Sequence, residues 1–342
     1  MTTIDTTVSP PAGTAAMELV GDTPMVELAS IGAGLPHRLL AKCEFMNPAG
    51  SVKDRIGRHI IRRAEDAGLL KPGRSTLVEA TAGNTGIGLA AAAAGRYRVL
   101  VTMSSKMGPE KEAMMRAWGA EVVRCPYGVP PQSPDSFINT ARRLAEELPD
   151  AYYVDQFANP WNREAHELTT GPEILRQTGG EIGAFVSGAG TGGTFSGVGR
   201  ALRAAGSKAQ LVLADPVGSI LASRSRGGNA PAGPYLIEGI GGDFVPELLD
   251  LGSVDRPMNV ADADSMRMCL RLQQEEGLWV GGSAGCAVVA AVRLARLLPG
   301  PRTNIVVILP DGGARYTSTI FNEAWREARG ITRPRSDSEE DR

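Results

Sequence analysis

Short apolar runs alternate with longer amphipathic stretches along most of this chain. The apolar runs are rich in Val, Leu and Ile and predict buried strands. They lie at residues 37–43, 75–79, 98–103, 121–124, 184–187, 210–214 and 304–309. The amphipathic stretches predict helices at residues 53–67, 85–95, 111–118, 135–147, 169–178, 194–205, 262–275 and 286–297. This repetition of strand, loop and helix predicts three-layer α/β domains in which mostly parallel sheets are covered by helices on both faces.

The length of the chain indicates how many such domains it forms. With 342 residues it is long enough for two domains of roughly 150 residues each. We predict an N-terminal domain over residues 16–158 and a C-terminal domain over residues 159–331. Residues 98–147 are expected to be a mobile part of the first domain, and residues 25–45 are a candidate to pack with the second.

Composition and charge narrow the possible partners. Hydrophobic residues make up 42% and charged residues 22% of the chain, which is ordinary for a soluble globular protein. A net charge of -2 gives no reason to expect binding to nucleic acid or membranes, so a small-molecule substrate is the expected partner. No apolar run of about 18 residues predicts a membrane span. Residues 1–15 and 332–342 lack a patterned apolar face and are predicted to be disordered.

The cysteines and histidines do not indicate a metal site. The four cysteines form no Cys-x-x-Cys motif, and the three histidines are equally scattered. We therefore expect no metal, and we interpret the cysteines as reduced thiols of a cytoplasmic protein. The N-terminus has no basic patch before an apolar stretch, so no signal peptide is expected.

A glycine-rich loop at residues 188–194 predicts a phosphate site. Its glycines allow consecutive backbone N–H groups to turn inward, and the helix that follows adds the positive end of its dipole. The loop lacks the Gly-Lys-Ser/Thr ending of a nucleoside-triphosphate loop, and by itself it is weak support. The predicted phosphate ligands are Gly190, Thr191, Gly192, Gly193 and Thr194.

Lys53 is the candidate for covalent chemistry. It follows the Asn-Pro-Ala-Gly turn at residues 47–50 and begins a predicted helix, so its amine has a defined direction. A lysine kept neutral by its surroundings forms an imine with an aldehyde cofactor. Without other signals, a solvated surface lysine is the commoner role.

Two further turns place small polar residues at helix starts. Residues 79–86 suit a carboxylate ligand, although a simple capped helix is the alternative. Residues 281–285 place Ser283 where it either faces a heteroaromatic nitrogen or caps a helix. Together with Lys53 and the phosphate loop, these turns predict a pyridoxal phosphate site.

The chain resembles the cysteine synthase/cystathionine β-synthase family through residues 47–55, 81–86, 190–194 and 281–285, in matching order and spacing. These are pyridoxal-phosphate enzymes of fold type II, the tryptophan-synthase-β type. The resemblance covers about residues 17 to 328 and implies a pyridoxal 5'-phosphate cofactor. It also implies β-replacement on an activated L-serine, by a thiol or sulfide, through an aminoacrylate intermediate. We expect a homodimer.

The resemblance implies a role for each matched residue. Lys53 forms the imine and moves the α-proton. Asn84 binds the cofactor's 3′-oxygen, Ser283 faces the pyridine nitrogen, and the loop at residues 190–194 holds the phosphate. The remaining residues are assigned to the substrate: Thr81, Ala82, Gly83, Thr85, Gln156 and Gly239.

Two departures from the family pattern concern the donor substrate. Ala82 stands where many relatives carry a serine, and Gly242 stands where serine-using cystathionine β-synthases carry a tyrosine. The loss of these polar groups predicts that plain L-serine is a poor donor and that O-acetyl- or O-phospho-L-serine is preferred. Arg224 and Arg226 favour phosphate slightly, unless they belong to a solvated basic loop.

Three other functions stay open. A 2,3-diaminopropionate synthase would use the same donor with an amine nucleophile. A serine/threonine ammonia-lyase would eliminate without replacement, although those enzymes usually carry a different lysine motif. A non-enzymatic binding protein would leave the intact Lys53 and cofactor loops unexplained.

Overall fold

The computed structural model describes residues 16–81, 83–105, 108–130 and 132–332. The disorder expected for residues 1–15 and 332–342 concerns segments that, apart from residue 332, lie outside the described residues, as does Ala82 with its expected role.

The larger of two sheets has six strands in the order β1-β2-β10-β7-β8-β9. Strands β1 and β2 are antiparallel, and every other neighbouring pair is parallel. Segments from near both ends of the described chain therefore share one sheet. The strands are β1 (Met25–Glu27), β2 (Arg38–Cys43), β7 (Ala184–Gly188), β8 (Gln210–Pro216), β9 (Arg256–Val260) and β10 (Asn304–Leu309).

The smaller sheet has four strands in the order β5-β4-β3-β6, and all its pairs are parallel. All of its strands come from one continuous part of the chain, between the first two and the last four strands of the larger sheet. They are β3 (Thr76–Ala80), β4 (Arg98–Ser104), β5 (Glu121–Cys125) and β6 (Ala151–Tyr153).

Helices connect the strands, as parallel pairing requires. The first five are α1 (Lys53–Asp66), α2 (Asn84–Ala93), α3 (Pro109–Ala117), α4 (Phe137–Glu147) and α5 (Pro160–Ala165). After α5 comes one π-helical segment, His166–Thr170, which runs directly into the next helix. The remaining helices are α6 (Gly171–Thr178), α7 (Gly193–Ala204), α8 (Leu221–Ser225), α9 (Asp262–Glu275), α10 (Gly282–Leu297) and α11 (Glu323–Glu327).

Both faces of each sheet are covered, which confirms the α/β class with mostly parallel sheets. In β10, Ile305 and Val307 pack in one apolar cluster with α9 and α10, whereas Val306 and Ile308 pack in another with α6 and α7. Because successive side chains of a strand point to opposite faces, a strand covered on both sides must be apolar throughout. This is why the strongest strand predictions were continuous apolar runs.

The structure corrects three details of the sequence interpretation. No strand was predicted between residues 147 and 169, but this stretch contains β6, which pairs with β3. Strand β9 was missed because its residues are partly exposed and include a proline. Helix α10 begins at Gly282, earlier than predicted, so Ser283 lies in its first turn rather than before it.

In the described part of the chain, no helix is long and apolar enough to cross a membrane, and no group of His, Cys, Asp or Glu is arranged to hold a metal ion.

Candidate active site

Lys53 is the first residue of α1 and lies between the end of β10, in the larger sheet, and helix α2, which follows β3 of the smaller sheet. The Val52 N–H donates to Pro310 O at 2.8 Å, which joins this turn to the end of β10. On the other side, a Cβ added at Gly88 of α2 would lie 2.7 Å from Lys53 O. A glycine is therefore needed for α2 to approach so closely. These contacts bring the start of α1 to the carboxyl ends of β3 and β10.

The surroundings of Lys53 favour a reactive amine. Burial lowers the pKa of Lys53, and the negative charges of Asp311 and Glu44 oppose this only in part. Among the described residues its amine has neither a hydrogen-bond acceptor nor a salt-bridge partner. A lysine of lowered pKa has a larger neutral fraction, and a neutral amine is the form that reacts with an aldehyde.

Asn84 begins α2 and is fixed by a polar network at the end of β10. Its Nδ2 donates to Asp311 Oδ2 at 2.7 Å, and its Oδ1 accepts from Arg315 Nε at 2.8 Å. The Tyr316 hydroxyl donates to the same Asp311 oxygen at 2.8 Å. A primary amide carries two hydrogens, so one N–H of Asn84 is left for a ligand.

Ser283 lies close to this network. The Gly281 N–H donates to Asp311 O at 3.1 Å, and a Cβ at Gly281 would lie 2.3 Å from Asp311 Oδ1. Ser283 is buried, and its hydroxyl has no hydrogen-bond partner within the ranges that the structure describes. The structure thus brings Lys53, Asn84 and Ser283 around one carboxylate that the sequence interpretation did not include.

The glycine loop between β7 and α7 is shaped by backbone contacts. Gly192 has φ +84°, and a Cβ there would lie 2.6 Å from Leu249. A Cβ at Gly190 would lie 2.3 Å from Gly239 O. Gly190 and Gly192 therefore have no room for a side chain, and Gly239 is placed against the loop. Backbone N–H groups at the start of α7, after that of Gly193, complete an anion cradle.

Thr191 is oriented by Asn162 of α5. Asn162 Nδ2 donates to Thr191 Oγ1 at 3.0 Å, and the Gly193 N–H approaches the same oxygen at 3.4 Å. A hydroxyl accepts two hydrogen bonds and donates one. Both acceptor positions of Thr191 are filled, so its hydrogen is free for a ligand in the loop.

The residues predicted to bind the substrate carboxylate form one cluster. The Thr85 hydroxyl donates to Gln156 Oε1 at 2.6 Å, and the Gly83 N–H donates to Thr81 Oγ1 at 3.2 Å. Asn162 Nδ2 also donates to Gln156 O at 2.8 Å, which links this cluster to the phosphate loop.

Below this cluster lies the buried carboxyl of Glu79, at the end of β3. Its Oε2 accepts from the Gln156 N–H at 3.3 Å, while its Oε1 has no partner in the described structure. Burial raises the pKa of Glu79 well above its usual value, and the nearby Asp155 adds to the shift. A raised pKa favours the neutral form of this carboxyl, which lessens the negative charge beside the residues predicted to bind the substrate carboxylate.

Lys111 of α3 contacts residues from two different loops of the site. Its Nζ forms a salt bridge with Glu238 and lies 4.7 Å from the centre of the Tyr316 ring. A Cβ at Gly83 would lie 2.5 Å from Lys111 Cδ. The side chain therefore bridges the loop at residues 81–86 and the loop that carries Gly239.

Sequence reasoning missed several of these residues. Asp311 carried a usable signal, since it lies two residues after a buried parallel strand, at the edge where such sheets bind ligands. Glu79 also ends such a strand. Lys111 lies in an ordinary helical pattern and Asn162 lies outside the predicted elements, so no local pattern separates either of them from surface or core residues.

The chain belongs to the family of pyridoxal-phosphate dependent enzymes, whose model matches residues 16–311. This confirms the family resemblance and the cofactor. The chain is 43% identical to cystathionine beta-synthase of Apis mellifera over 92% of its own length and 62% of that protein. It is 41% identical to cysteine synthase 1 of Emericella nidulans, over 92% of this chain and 86% of that protein.

A solved structure is also similar. The crystal structure of O-acetylserine dependent cystathionine beta-synthase from Helicobacter pylori covers 90% of this chain and 97% of its own, at 35% identity and a TM-score of 0.82. The chain spans less than two thirds of the cystathionine beta-synthases of Apis mellifera and Oryctolagus cuniculus, at 62% and 57% of their lengths.

The residues present fit pyridoxal phosphate. The site brings together Lys53, whose pKa is lowered, Asn84, which has one free amide N–H, and the buried hydroxyl of Ser283. It also contains the glycine loop at residues 190–194, where added side chains would collide with backbone. These groups would supply an imine-forming amine and partners for the ring oxygen, the ring nitrogen and the phosphate.

Proposed function

We propose that this protein replaces the β-substituent of O-acetyl-L-serine with a thiol or sulfide, using pyridoxal phosphate. The observation that carries the proposal is the meeting of Lys53, the Asn84–Asp311 network and the glycine cradle beside the cluster of Thr81, Thr85 and Gln156. Relatives named cystathionine beta-synthase and cysteine synthase support the same reaction type.

In this proposal each group of residues has one task. The loop at residues 190–194 binds the cofactor's phosphate, Asn84 donates its free N–H to the ring oxygen, and the Ser283 hydroxyl faces the ring nitrogen. Thr81, Gly83, Thr85 and Gln156 bind the substrate carboxylate with hydroxyl, amide and backbone N–H groups. When bound, the cofactor supplies the electron sink that allows the β-substituent to leave.

Lys53 then acts as the base. Its neutral amine removes the α-proton of the bound amino acid, and the ammonium that forms is stabilised by the nearby charge of Asp311. Serine at position 283 cannot hold the ring nitrogen protonated as an aspartate would. Ser283 would therefore leave the ring a weaker electron sink than an aspartate would, which would favour substrates with a good β-leaving group.

The donor choice rests on what surrounds the leaving group. Gly242 has no side chain to donate a hydrogen bond, and a Cβ there would lie 2.8 Å from Phe244 O. The Arg224 guanidinium bonds Gly228 O and Asn229, and that of Arg226 bonds Pro257 O and Asn259. With both arginines engaged locally, the preference for a phosphate leaving group loses its support, and acetate is favoured.

Steady-state kinetics with each donor would test this proposal. O-Acetyl-L-serine, O-phospho-L-serine and L-serine are compared with sulfide, homocysteine and an amine as nucleophiles, with identification of each product. We expect kcat/KM for O-acetyl-L-serine to exceed that for L-serine by at least about tenfold. A preference for L-serine contradicts the donor assignment. Products formed only with the amine favour diaminopropionate synthesis, and pyruvate formation without replacement favours an ammonia-lyase.

We further propose that residues 98–147 move toward the cofactor when substrate binds. Two contacts support this motion: the Lys111–Glu238 salt bridge, and a hydrogen bond from the Ser318 N–H to Glu110 Oε1 at 3.1 Å. Both join α3 to loops that lie outside the moving segment. A carboxylate bound at residues 81–86, beside Lys111, gives the closed arrangement its additional stability.

A homodimer in the cytoplasm is the remaining part of the proposal. All four cysteines are buried and free, which suits a reducing compartment. Light scattering coupled to size-exclusion chromatography measures the number of subunits, and a monomer at micromolar concentration contradicts the dimer.

A further inference from the structure

The π-helical segment places His166 directly behind the phosphate loop. His166 is fully buried. Its Nδ1 lies 2.9 Å from Thr170 Oγ1, and its Nε2 lies 3.2 Å from Thr194 Oγ1. π-Helical turns within α-helices occur frequently at functional sites. Here the local change of helical geometry brings the Thr170 hydroxyl onto one ring nitrogen while the other faces the loop.

The ring has little room to move. A Cβ added at Gly197 of α7 would lie 2.7 Å from His166 Cβ and 2.4 Å from Arg163 O. A Cβ at Gly171 would lie 2.3 Å from Ala201 Cβ. Helix α7 therefore packs directly on the π-helical segment, and the distance from the His166 ring to Thr194 is set by backbone contact.

The ring is neutral in these surroundings. Burial lowers the pKa of His166 well below its usual value, and the positive charges of Arg55 and Lys53 add to the shift. A neutral imidazole carries one N–H donor and one acceptor nitrogen. The two threonine contacts therefore require one ring nitrogen to accept and the other to donate.

We propose that His166 is a positioning residue that holds the Thr194 hydroxyl ready to donate to the cofactor's phosphate. The Thr170 hydroxyl donates to Nδ1, and the Nε2–H donates to Thr194 Oγ1. The hydroxyl hydrogen of Thr194 is then left to donate to a phosphate oxygen. Thr191 is arranged in the same way elsewhere in the loop, because Asn162 Nδ2 donates to its hydroxyl oxygen and leaves its hydrogen for the phosphate. This inference rests on the proposed role of the loop.

Two substitutions separate the two ring nitrogens. The amide nitrogen of His166→Gln reaches the position of Nε2 and keeps a donor for Thr194, whereas that of His166→Asn reaches only the position of Nδ1. We expect His166→Asn to weaken pyridoxal phosphate binding about tenfold and His166→Gln by less than about threefold. Binding is measured by titrating the apoprotein and following visible absorbance. The phosphorus NMR shift of the bound phosphate should move in the Asn variant and stay near the wild-type value in the Gln variant.

Control variants distinguish the positioning role of His166 from the phosphate-binding role of the loop on which it rests. Thr194→Ala should weaken binding at least as much as His166→Asn, and combining the two should add little, because both remove the same hydrogen bond. If Thr194→Ala binds the cofactor normally, the loop assignment itself is wrong. If Thr194→Ala weakens binding but the Asn and Gln variants are equal, with the same phosphorus shift, His166 has no positioning role. Thermal unfolding of each apoprotein reports separately on loss of fold.

Discussion

The two sheets hold their ligand-facing loops in different ways. On the larger sheet, Gly190 and Gly281 lie against Gly239 O and the Asp311 side chain so closely that a Cβ would come within 2.3 Å. Helix α10, which follows one of these loops, is buried along most of its length. On the smaller sheet, a Cβ at Gly83 or Gly86 would meet the flexible side chains of Lys111 and Met115 of α3, the two buried ones among the described side chains of that helix.

This difference matches two separate requirements of the proposed reaction, one for the cofactor and one for the substrate. The cofactor must be held at a fixed position relative to Lys53, and backbone contacts within a close-packed core provide that rigidity. The substrate must enter and leave, and polar contacts such as Lys111–Glu238 can open without disturbing a core. The larger sheet therefore supplies the stable part of the site, and the edge of the smaller sheet supplies the part expected to move.

The largest effect should come from removing the amine of Lys53, which acts on both the cofactor and the substrate in the proposed reaction. Lys53→Ala should leave a folded protein with turnover lower by at least about a thousandfold, because covalent attachment and proton transfer are both lost. The visible absorbance of the bound cofactor should also change. Lys71→Ala, at an exposed position, is the matched control. An unchanged spectrum and rate in the Lys53 variant would falsify the central assignment.

Crowding the larger-sheet loop should weaken cofactor binding. Gly190→Ala places a methyl group against the carbonyl of Gly239, and backbone relieves such an overlap only by shifting the loop. We expect at least about tenfold weaker cofactor binding and a loss of about 1–3 kcal/mol in the free energy of unfolding. Cofactor titration and denaturant unfolding measure the two. Gly233→Ala is the control, since its Cβ would meet only Gly218 Cα at an ordinary 3.6 Å.

Breaking the Lys111–Glu238 salt bridge should affect substrate more than cofactor. Lys111→Met keeps the apolar stem against Gly83 but removes the charge that pairs with Glu238. We expect KM for the donor to rise about fivefold while cofactor affinity stays unchanged. Glu121→Gln, which breaks an exposed ion pair with Arg98 on the same segment, should leave KM unaltered. Equal losses of cofactor and substrate binding would contradict the proposed division between the sheets.

The smallest effect concerns the buried carboxyl of Glu79. Its pKa is raised by burial, so the folded protein binds a proton that the unfolded chain releases above about pH 4.5. Stability is therefore lost as pH rises from the unfolded value toward the folded one. Glu79→Gln should raise the free energy of unfolding by about 1 kcal/mol at pH 7, and the gain should disappear below pH 4.5. Exposed Glu146→Gln should show no such pH-dependent gain; a gain of equal size at both pH values would mean that Glu79 is not the titrating group.

The glycine loops were the most predictable part of the site. Residues 188–194 combine a strand end, glycines and a helix start, and residues 281–285 combine glycines with the start of α10, so local sequence contains most of the information. The roles of Lys111 and His166 were not predictable, because each depends on a partner that is distant in the sequence. Lys111 pairs with Glu238, more than a hundred residues later, and His166 contacts Thr194 at the start of α7.

The sequence by itself determined the α/β class and the mostly parallel strands, and it predicted the residues proposed to hold the cofactor, because strand burial and glycine turns leave local signatures. Only the tertiary structure decided that β1 and β2 join the sheet of the later strands, that Asp311 meets Asn84 and lies near Lys53, and that His166 lies behind Thr194. Pairing of distant segments depends on which buried surfaces fit together. That complementarity belongs to the folded chain as a whole, and no short segment contains it.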